Sequence, residues 1–346
     1  MKAVLKHSTI GRIAPSPTGR MHIGNAYAAL AAWLGARSVG GQVRLRIEDI
    51  DTPRVVADAD RWIMDDLAWL GLDWDGPVVY QSQRIDLYMQ AFHSLQSQCL
   101  VEGNANTVTP TTGDNATEQA LVYPCFCSRA DIRAASAPNE GDGFVIYPGT
   151  CRSIPTQLAK HRIEMGERHS WRIAVPVAGE QDAICQVEDR VYGSQSYDLS
   201  QQVGDVVLLR SDGIVSYQLA VTVDDIDMGI CQVVRGRDLL RSTATQQWIR
   251  TRLGVSEPVE WAHLPLVDGA DGRRLSKRYG SLDIGSLRER KVKPEQVLGL
   301  CAWLLGLQDR PEEASLHQLR ESFSWAQIRS HLQDKILEDS LVDALD

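Results

Sequence analysis

A histidine at the mouth of a helix, a carboxylate at the end of a strand and a lysine on a basic loop could together handle a phosphate-bearing substrate. The stretch Gly11-Arg12-Ile13-Ala14-Pro15-Ser16-Pro17-Thr18-Gly19-Arg20-Met21-His22-Ile23-Gly24-Asn25 runs from strand-like residues through a Pro/Gly turn into apolar residues at 26, 29, 30, 33 and 34. That spacing predicts a helix from near Ile23, with its free N–H groups and positive dipole end facing the turn, a layout that binds phosphate. Gly24 lets a ligand come close to the backbone. A surface histidine beside a turn satisfies the same residues, because a lone His-x-Gly is a weak motif. Much later, Gly272-Arg273-Arg274-Leu275-Ser276-Lys277-Arg278 is a Gly-flanked basic loop of the kind that closes a lysine over phosphates.

Two further groups carry chemistry. Val43-Arg44-Leu45-Arg46-Ile47-Glu48-Asp49 alternates strictly, apolar on one face and Arg44, Arg46 and Glu48 on the other, and reads as a strand. With that charged face toward the crevice after Arg12, Glu48 could receive an ammonium group; a solvent-facing carboxylate fits the pattern equally well. Cys125-Phe126-Cys127 and Tyr147-Pro148-Gly149-Thr150-Cys151 cluster three of the seven cysteines with a tyrosine, about the ligand number that four-coordinate zinc requires. Buried free cysteines are the competing reading, since Cys-x-Cys is not the usual Cys-x-x-Cys knuckle.

These residues need a scaffold, and the sequence between them alternates strand and helix patterns. Ala59, Trp62, Ile63, Leu67 and Leu70 mark a helix closed by Gly71; Ile85, Tyr88, Met89, Phe92, Leu95 and Cys99 mark another; Leu240, Ala244 and Trp248 a third. The alternation predicts a parallel α/β core. Strand-like Ile230 to Val234 delivers Arg235-Gly236 at its C-terminal end, where such sheets place ligand contacts. From Val101 to Ala120 the chain offers almost nothing to bury and reads as a flexible surface insertion. Trp171, Ile173 and Val175 alternate as a strand, Asp205 to Arg210 turns apolar again, and Tyr217 to Asp225 fits either strand or helical spacing.

A length of 346 residues suffices for about two domains with a sizeable core. The formal charge of −9 argues against a protein that coats nucleic acid, although Asp271 to Lys293 holds eight Lys/Arg against three Asp/Glu, a solvated loop or a local contact. An odd number of cysteines, with no apolar run before Arg12 longer than Ala3-Val4-Leu5, predicts reduced thiols or metal and a cytoplasmic location. The longest nearly apolar stretch, Ala26 to Ala36, is shorter than the roughly 18 residues that span a bilayer, so no membrane is expected.

Ala14-Pro15-Ser16-Pro17-Thr18-Gly19 with His22-Ile23-Gly24-Asn25, then Arg46-Ile47-Glu48-Asp49-Ile50-Asp51, Arg235-Gly236 and Leu275-Ser276-Lys277, resemble in order and spacing the class I glutamyl-tRNA synthetase family. The resemblance covers about residues 10–280 and implies an α/β fold, a Rossmann-type parallel sheet interrupted by a zinc-bearing insertion, with a short helical C-terminal part. The expected division is 1–100 for the first Rossmann half, 101–202 for the insertion with its flexible loop and zinc-binding acceptor region, 203–268 for the second half, and 269–346 for the lysine loop and C-terminal helices such as Val297, Leu300, Cys301 and Leu304 after Pro294. The residues after Lys277 are too few for a helical anticodon-binding half. Together with the cysteine cluster, this resembles a short branch of the family that places glutamate on queuosine in the anticodon of tRNA(Asp).

The same resemblance implies roles. His22 and Lys277 act in catalysis; Pro15, His22, Gly24, Asn25 and Lys277 bind ATP, which Mg2+ accompanies. Arg12 and Arg235 recognise carboxylate groups of glutamate, Glu48 its ammonium, Ser16 and Tyr217 through hydrogen bonds, with Ile13, Ala14 and Pro15 completing the pocket. Cys125, Cys127, Tyr147 and Cys151 hold one structural Zn2+, expected far from the chemistry. The implied partners are ATP, L-glutamate and tRNA(Asp) carrying queuosine, and the protein is expected to be a monomer. The family's first signature ends in histidine where this chain has Asn25, and its second begins with lysine and ends in serine where this chain has Arg274 and Arg278; Asn25 can still donate a hydrogen bond and Arg274 preserves charge. Rival readings are a truncated glutamyl-tRNA synthetase charging the 3′ end of tRNA, a nucleotidylyltransferase, which leaves Arg46 to Asp51 and the cysteines unused, and an inactive RNA-binding paralogue, against which His22 and Lys277 speak.

Overall fold

The strand that feeds the Pro/Gly turn, Ile10–Ile13, sits inside a seven-stranded sheet ordered Val79–Tyr80, Gln42–Ile47, Ile10–Ile13, Gln232–Gly236, Glu260–Leu264, Ile184–Asp189, Gly193–Asp198. The computed structural model describes residues 8–100, 119–135, 145–269 and 283–345; Lys277 with its loop, and residues 101–118, lie outside them. The first six strands run parallel and the last is antiparallel to its neighbour. Gly11 pairs with Val43 on one side and Gln232 on the other, so the order reverses at Ile10–Ile13 and a crevice opens beyond the carboxyl ends of two adjacent strands. Arg12 and Arg235 stand on those two strands.

The predicted helix spans Ile23–Arg37. Its sequence is Ala-rich and apolar nearly all round, as a helix covered on more than one side requires. One side packs on the sheet, and another on the helix Pro294–Leu304, whose Val297, Leu300, Cys301 and Leu304 share a core with Ile23, Leu30 and Leu34. The C-terminal segment thus shares the core of the main sheet, and Lys335–Leu337 pairs in parallel with Val267–Gly269. Tyr217–Asp227, ambiguous in sequence, is a helix whose start is fixed by the Ser216 hydroxyl accepting from Leu219 N at 3.4 Å.

Two boundaries differ from expectation. Ile184–Asp189 and Gly193–Asp198, expected within the insertion, form a hairpin that extends the main sheet. Val206–Leu209, expected in the second Rossmann half, instead pairs antiparallel with Ser170–Ile173, which pairs with Val122–Cys125 in the insertion's own sheet. Alternation identifies a strand but not its partner; here Leu208 and Ile173 are drawn into a second core with Tyr88, Phe92 and Leu219. Gln119–Ala120, the end of the stretch expected to be flexible, pairs with Cys99–Leu100.

Candidate active site

Three arginines with almost no solvent exposure surround the crevice: Arg12, Arg46 and Arg235. Charges this deep require partners, and the first two have them. Arg46 Nη1 lies 2.6 Å from Asp225 Oδ1, Nη2 donates to Glu48 Oε1 at 3.1 Å, and Nε is 3.6 Å from Asp224 Oδ2. Arg12 donates from Nη1 to Val234 O at 3.0 Å, with Nε 3.5 Å from Asp225 Oδ1. Burial raises the Asp225 pKa, but Arg46 and Arg12 outweigh it, and the carboxyl is held below its usual range. Glu48 goes the other way: burial outweighs Arg46 and Arg12 and raises its pKa.

Arg235 differs. Its Nε donates to His263 Nε2 at 3.0 Å, Nη1 to Gln246 Oε1 at 2.8 Å, and Nη2 to Thr243 Oγ1 at 2.9 Å and Leu239 O at 3.3 Å. Every one of these acceptors is neutral, and among the described residues no carboxylate lies within ion-pair distance. The guanidinium stays charged, so an anionic ligand group would supply its missing counter-ion. Tyr217 stands beside it and lines the adjoining cavity.

The turn after Ile10–Ile13 is tied to the neighbouring strand by Glu48 N donating to Pro15 O at 2.9 Å, which sets Ser16 and Glu48 on one wall. His22 is the residue preceding the helix, and Asn25 Oδ1 accepts from His22 N at 3.1 Å. Asn25 therefore stabilises the helix start. His22 Nδ1 is buried with no hydrogen-bond partner among the described residues, and burial lowers the imidazole pKa, in keeping with a neutral ring that has one N–H and one lone pair. The structure thus gathers Arg12, Ser16, Glu48, Tyr217 and Arg235 around one crevice beside His22, whereas Lys277 lies outside the described residues.

A cavity of about 890 Å³ leads from Ser16, Glu48 and Tyr217 to Cys125 and Cys127. The three thiols Cys125, Cys127 and Cys151 fall within 4.8 Å of one another. Cys127 and Cys151 Sγ are 3.5 Å apart, and Tyr147 Oη is 3.4 Å from Cys125 Sγ and 3.7 Å from Cys127 Sγ. Tetrahedral zinc with thiolate bonds of about 2.3 Å needs sulfurs about 3.8 Å apart, so these side chains fit such an ion. Burial opposes the Cys125 thiolate, but Tyr147 and Arg172 outweigh it and lower its pKa; Arg172 also stacks on Tyr147 at 3.9 Å. Expected far from the chemistry on sequence separation, the cluster instead borders the same cavity, because the insertion's sheet folds over the crevice.

Of the basic run, Arg273, Arg274, Lys277 and Arg278 lie outside the described residues. Of its described part, Arg288 pairs with Asp65 and Asp66, Arg290 with Asp343, and Lys293 with Glu313. The cavity itself carries Arg54, Arg129, Arg168 and Arg210, dispersed in sequence and invisible to a count of local charge. Sequence reasoning placed Arg46 on the face of Glu48 but gave no role to it or to Asp224, Asp225 and His263. The signals were two adjacent aspartates within an apolar helix and an arginine on the same strand face as Glu48.

The fold and site define a class I aminoacyl-tRNA synthetase catalytic domain, and the chain belongs to the family of tRNA synthetases class I (E and Q), catalytic domain, matched over residues 9–105 and 114–338. It is a ligase of that type. Its relatives include the glutamyl-Q tRNA(Asp) synthetase of Nitratidesulfovibrio vulgaris, 41% identical over 307 residues and covering 86% of each chain. Another, from Geobacter sulfurreducens and of the same description, is 43% identical over 319 residues, 92% of this chain and 90% of the relative. Among solved structures, a glutamate tRNA ligase from Elizabethkingia meningosepticum in complex with its amino acid superposes with a TM-score of 0.75 at 26% identity, over 98% of this chain and 68% of that one. Among the described residues no helix is long and apolar enough to cross a membrane.

Proposed function

We propose that the protein activates L-glutamate with ATP in the absence of tRNA and transfers it to queuosine in the anticodon of tRNA(Asp). The observation that carries the glutamate reading is Arg235, a buried cation held only by neutral acceptors within reach of Arg12, Glu48 and Tyr217. Arg12 and Arg235 take carboxylate groups, Glu48 takes the ammonium, and Ser16 and Tyr217 hydrogen-bond, with Ile13, Ala14 and Pro15, on the strand end and turn between Arg12 and Ser16, completing the pocket. The queuosine acceptor is supported by the relatives' names and by the arginine-lined cavity, where an unstacked anticodon nucleotide would fit.

A glutamate carboxylate oxygen bonds to the α-phosphorus, the bridging P–O bond breaks, and pyrophosphate leaves. The neutral His22 donates its N–H to phosphate, the helix start adds its dipole, and Lys277 meets the charge that builds on the oxygens. A queuosine cyclopentene hydroxyl then bonds to the activated carbonyl carbon, loses its proton, and AMP departs. Mg2+ accompanies ATP. Zinc on Cys125, Cys127, Tyr147 and Cys151 would brace the cavity wall and take no part in bond making. A monomer acting in the cytoplasm suits this role.

Glutamate-dependent pyrophosphate exchange without tRNA tests the first step. For the second, tRNA is charged with labelled glutamate and digested, and the labelled fragment is identified. Label on the queuosine-bearing anticodon fragment, with none on an unmodified transcript, is expected. Label on the 3′-terminal adenosine, or equal charging of tRNA(Glu), would reassign the protein to ordinary 3′-end charging.

A further inference from the structure

His263 sits on Glu260–Leu264, the strand beside Arg235, and has no solvent exposure. Its Nε2 accepts from Arg235 Nε at 3.0 Å, so that nitrogen carries a lone pair, and the ring proton is on Nδ1, 2.6 Å from Asp189 Oδ2. Asp189 is itself immobilised, accepting from Val191 N and Tyr192 N at 2.9 Å each and from His263 N at 3.1 Å. An imidazolium here would set a second N–H donor and a second cation against Arg235. Burial lowers the His263 pKa despite the Asp189 hydrogen bond, in keeping with a neutral ring. Trp261 stacks on His263 at 6.5 Å between ring centroids and lies 5.4 Å from the Arg235 guanidinium carbon.

A buried arginine is ordinarily held by a carboxylate, which cancels its charge. Here the carboxylate is one ring away. We propose that the His263–Asp189 pair is a positioning device that aims the Arg235 guanidinium while leaving its charge unspent, and that it thereby sets the preference for a ligand carboxylate over an amide. The inference rests on the glutamate reading of the site. Asp189 orients the imidazole, the imidazole orients Arg235, Asp225 acts on the guanidinium only from beyond ion-pair distance, and the ligand supplies the anion in direct contact.

The test compares pyrophosphate exchange by the wild-type chain, His263→Leu and His263→Gln with glutamate and with glutamine. His263→Leu removes the acceptor and should raise the glutamate KM at least tenfold, with the ATP KM unchanged and glutamate-over-glutamine discrimination reduced. His263→Gln places an amide oxygen near the former Nε2 and should recover most of the loss. An unchanged glutamate KM in His263→Leu, an equal rise in the ATP KM, or no recovery in His263→Gln overturns the proposal. Histidine 15N spectra of the full-length wild-type chain at neutral pH, with His263→Gln assigning the signal, give a reading independent of substrate and of whether His263→Leu folds. Protonated Nδ1 with bare Nε2 is expected, and any other form overturns the device. Should the wild-type chain exchange no glutamate while showing this tautomer, the glutamate reading fails and the proposed preference falls with it, leaving only the geometric link.

Discussion

Arg46 Nη1 and Asp225 Oδ1 meet at 2.6 Å with the arginine side chain fully enclosed, and this ion pair joins a strand of the first Rossmann half to a helix of the second. The same guanidinium holds Glu48 at 3.1 Å. Replacing Arg46 with methionine takes a buried cation from Glu48, Asp224 and Asp225; Asp224 keeps Arg84 at 2.8 Å and Asp225 keeps Arg12 at 3.5 Å, whereas Glu48 loses its ion-pair partner. Breaking a buried pair from one side costs about 3–5 kcal/mol, and urea unfolding of Arg46→Met should show a loss of that order. A loss below about 1 kcal/mol would mean that the carboxylates find other partners.

Glu48 predicts a pH dependence. Burial raises its pKa above the ordinary 4.5. As pH falls through that raised value the carboxylate gains a proton and stops attracting the ammonium of the amino acid, so the glutamate KM should climb at a higher pH than an ordinary carboxylate would dictate. In Glu48→Gln the KM should already be high at neutral pH and lack this acid limb. The same limb in both proteins would assign it to another group.

Lys277 should speed adenylate formation through one charged contact worth about 3 kcal/mol in the transition state, or about two orders of magnitude in rate. Lys277→Ala is therefore expected to exchange pyrophosphate about a hundredfold more slowly. Undiminished exchange would remove this lysine from the chemistry.

Elemental analysis should find about one zinc per chain. Because Cys125 and Cys127 line the cavity proposed to receive the acceptor, removing the metal should depress transfer to tRNA more than glutamate-dependent exchange. Equal loss of both activities would show that the ion supports the whole catalytic domain. Metal-free protein with all its cysteines open to thiol reagents would return them to buried free thiols.

At Gly299 the backbone of another segment packs directly on the helix Pro294–Leu304. A Cβ there would lie 1.8 Å from Glu312 O. Gly299→Ala should lower stability by about 1–3 kcal/mol, as overpacking does, and the thermal midpoint should fall accordingly. An unchanged midpoint would show that the loop at Glu312 yields freely.

Chemistry that depends on residue type and local spacing was legible without a structure. The Pro/Gly turn running into an apolar helical pattern placed the helix start at Ile23, where it is found. Alternation over Val43–Asp49 located the strand found at Gln42–Ile47 and put Arg46 and Glu48 on one face, and the cysteines with Tyr147 marked out a set that the fold brings close enough together to hold one ion. What alternation cannot say is what a face meets. Arg44, Arg46 and Glu48 look alike in a period of two, yet Arg46 is enclosed because a helix from far along the chain brings Asp224 and Asp225 against it. The partner of a strand is equally undetermined by its own residues, which is why the hairpin from Ile184 and the strand Val206–Leu209 exchanged places relative to expectation. His263 carried no local mark at all, since its role depends on lying between Arg235 and Asp189 on adjacent strands, a register set by pairing across the sheet.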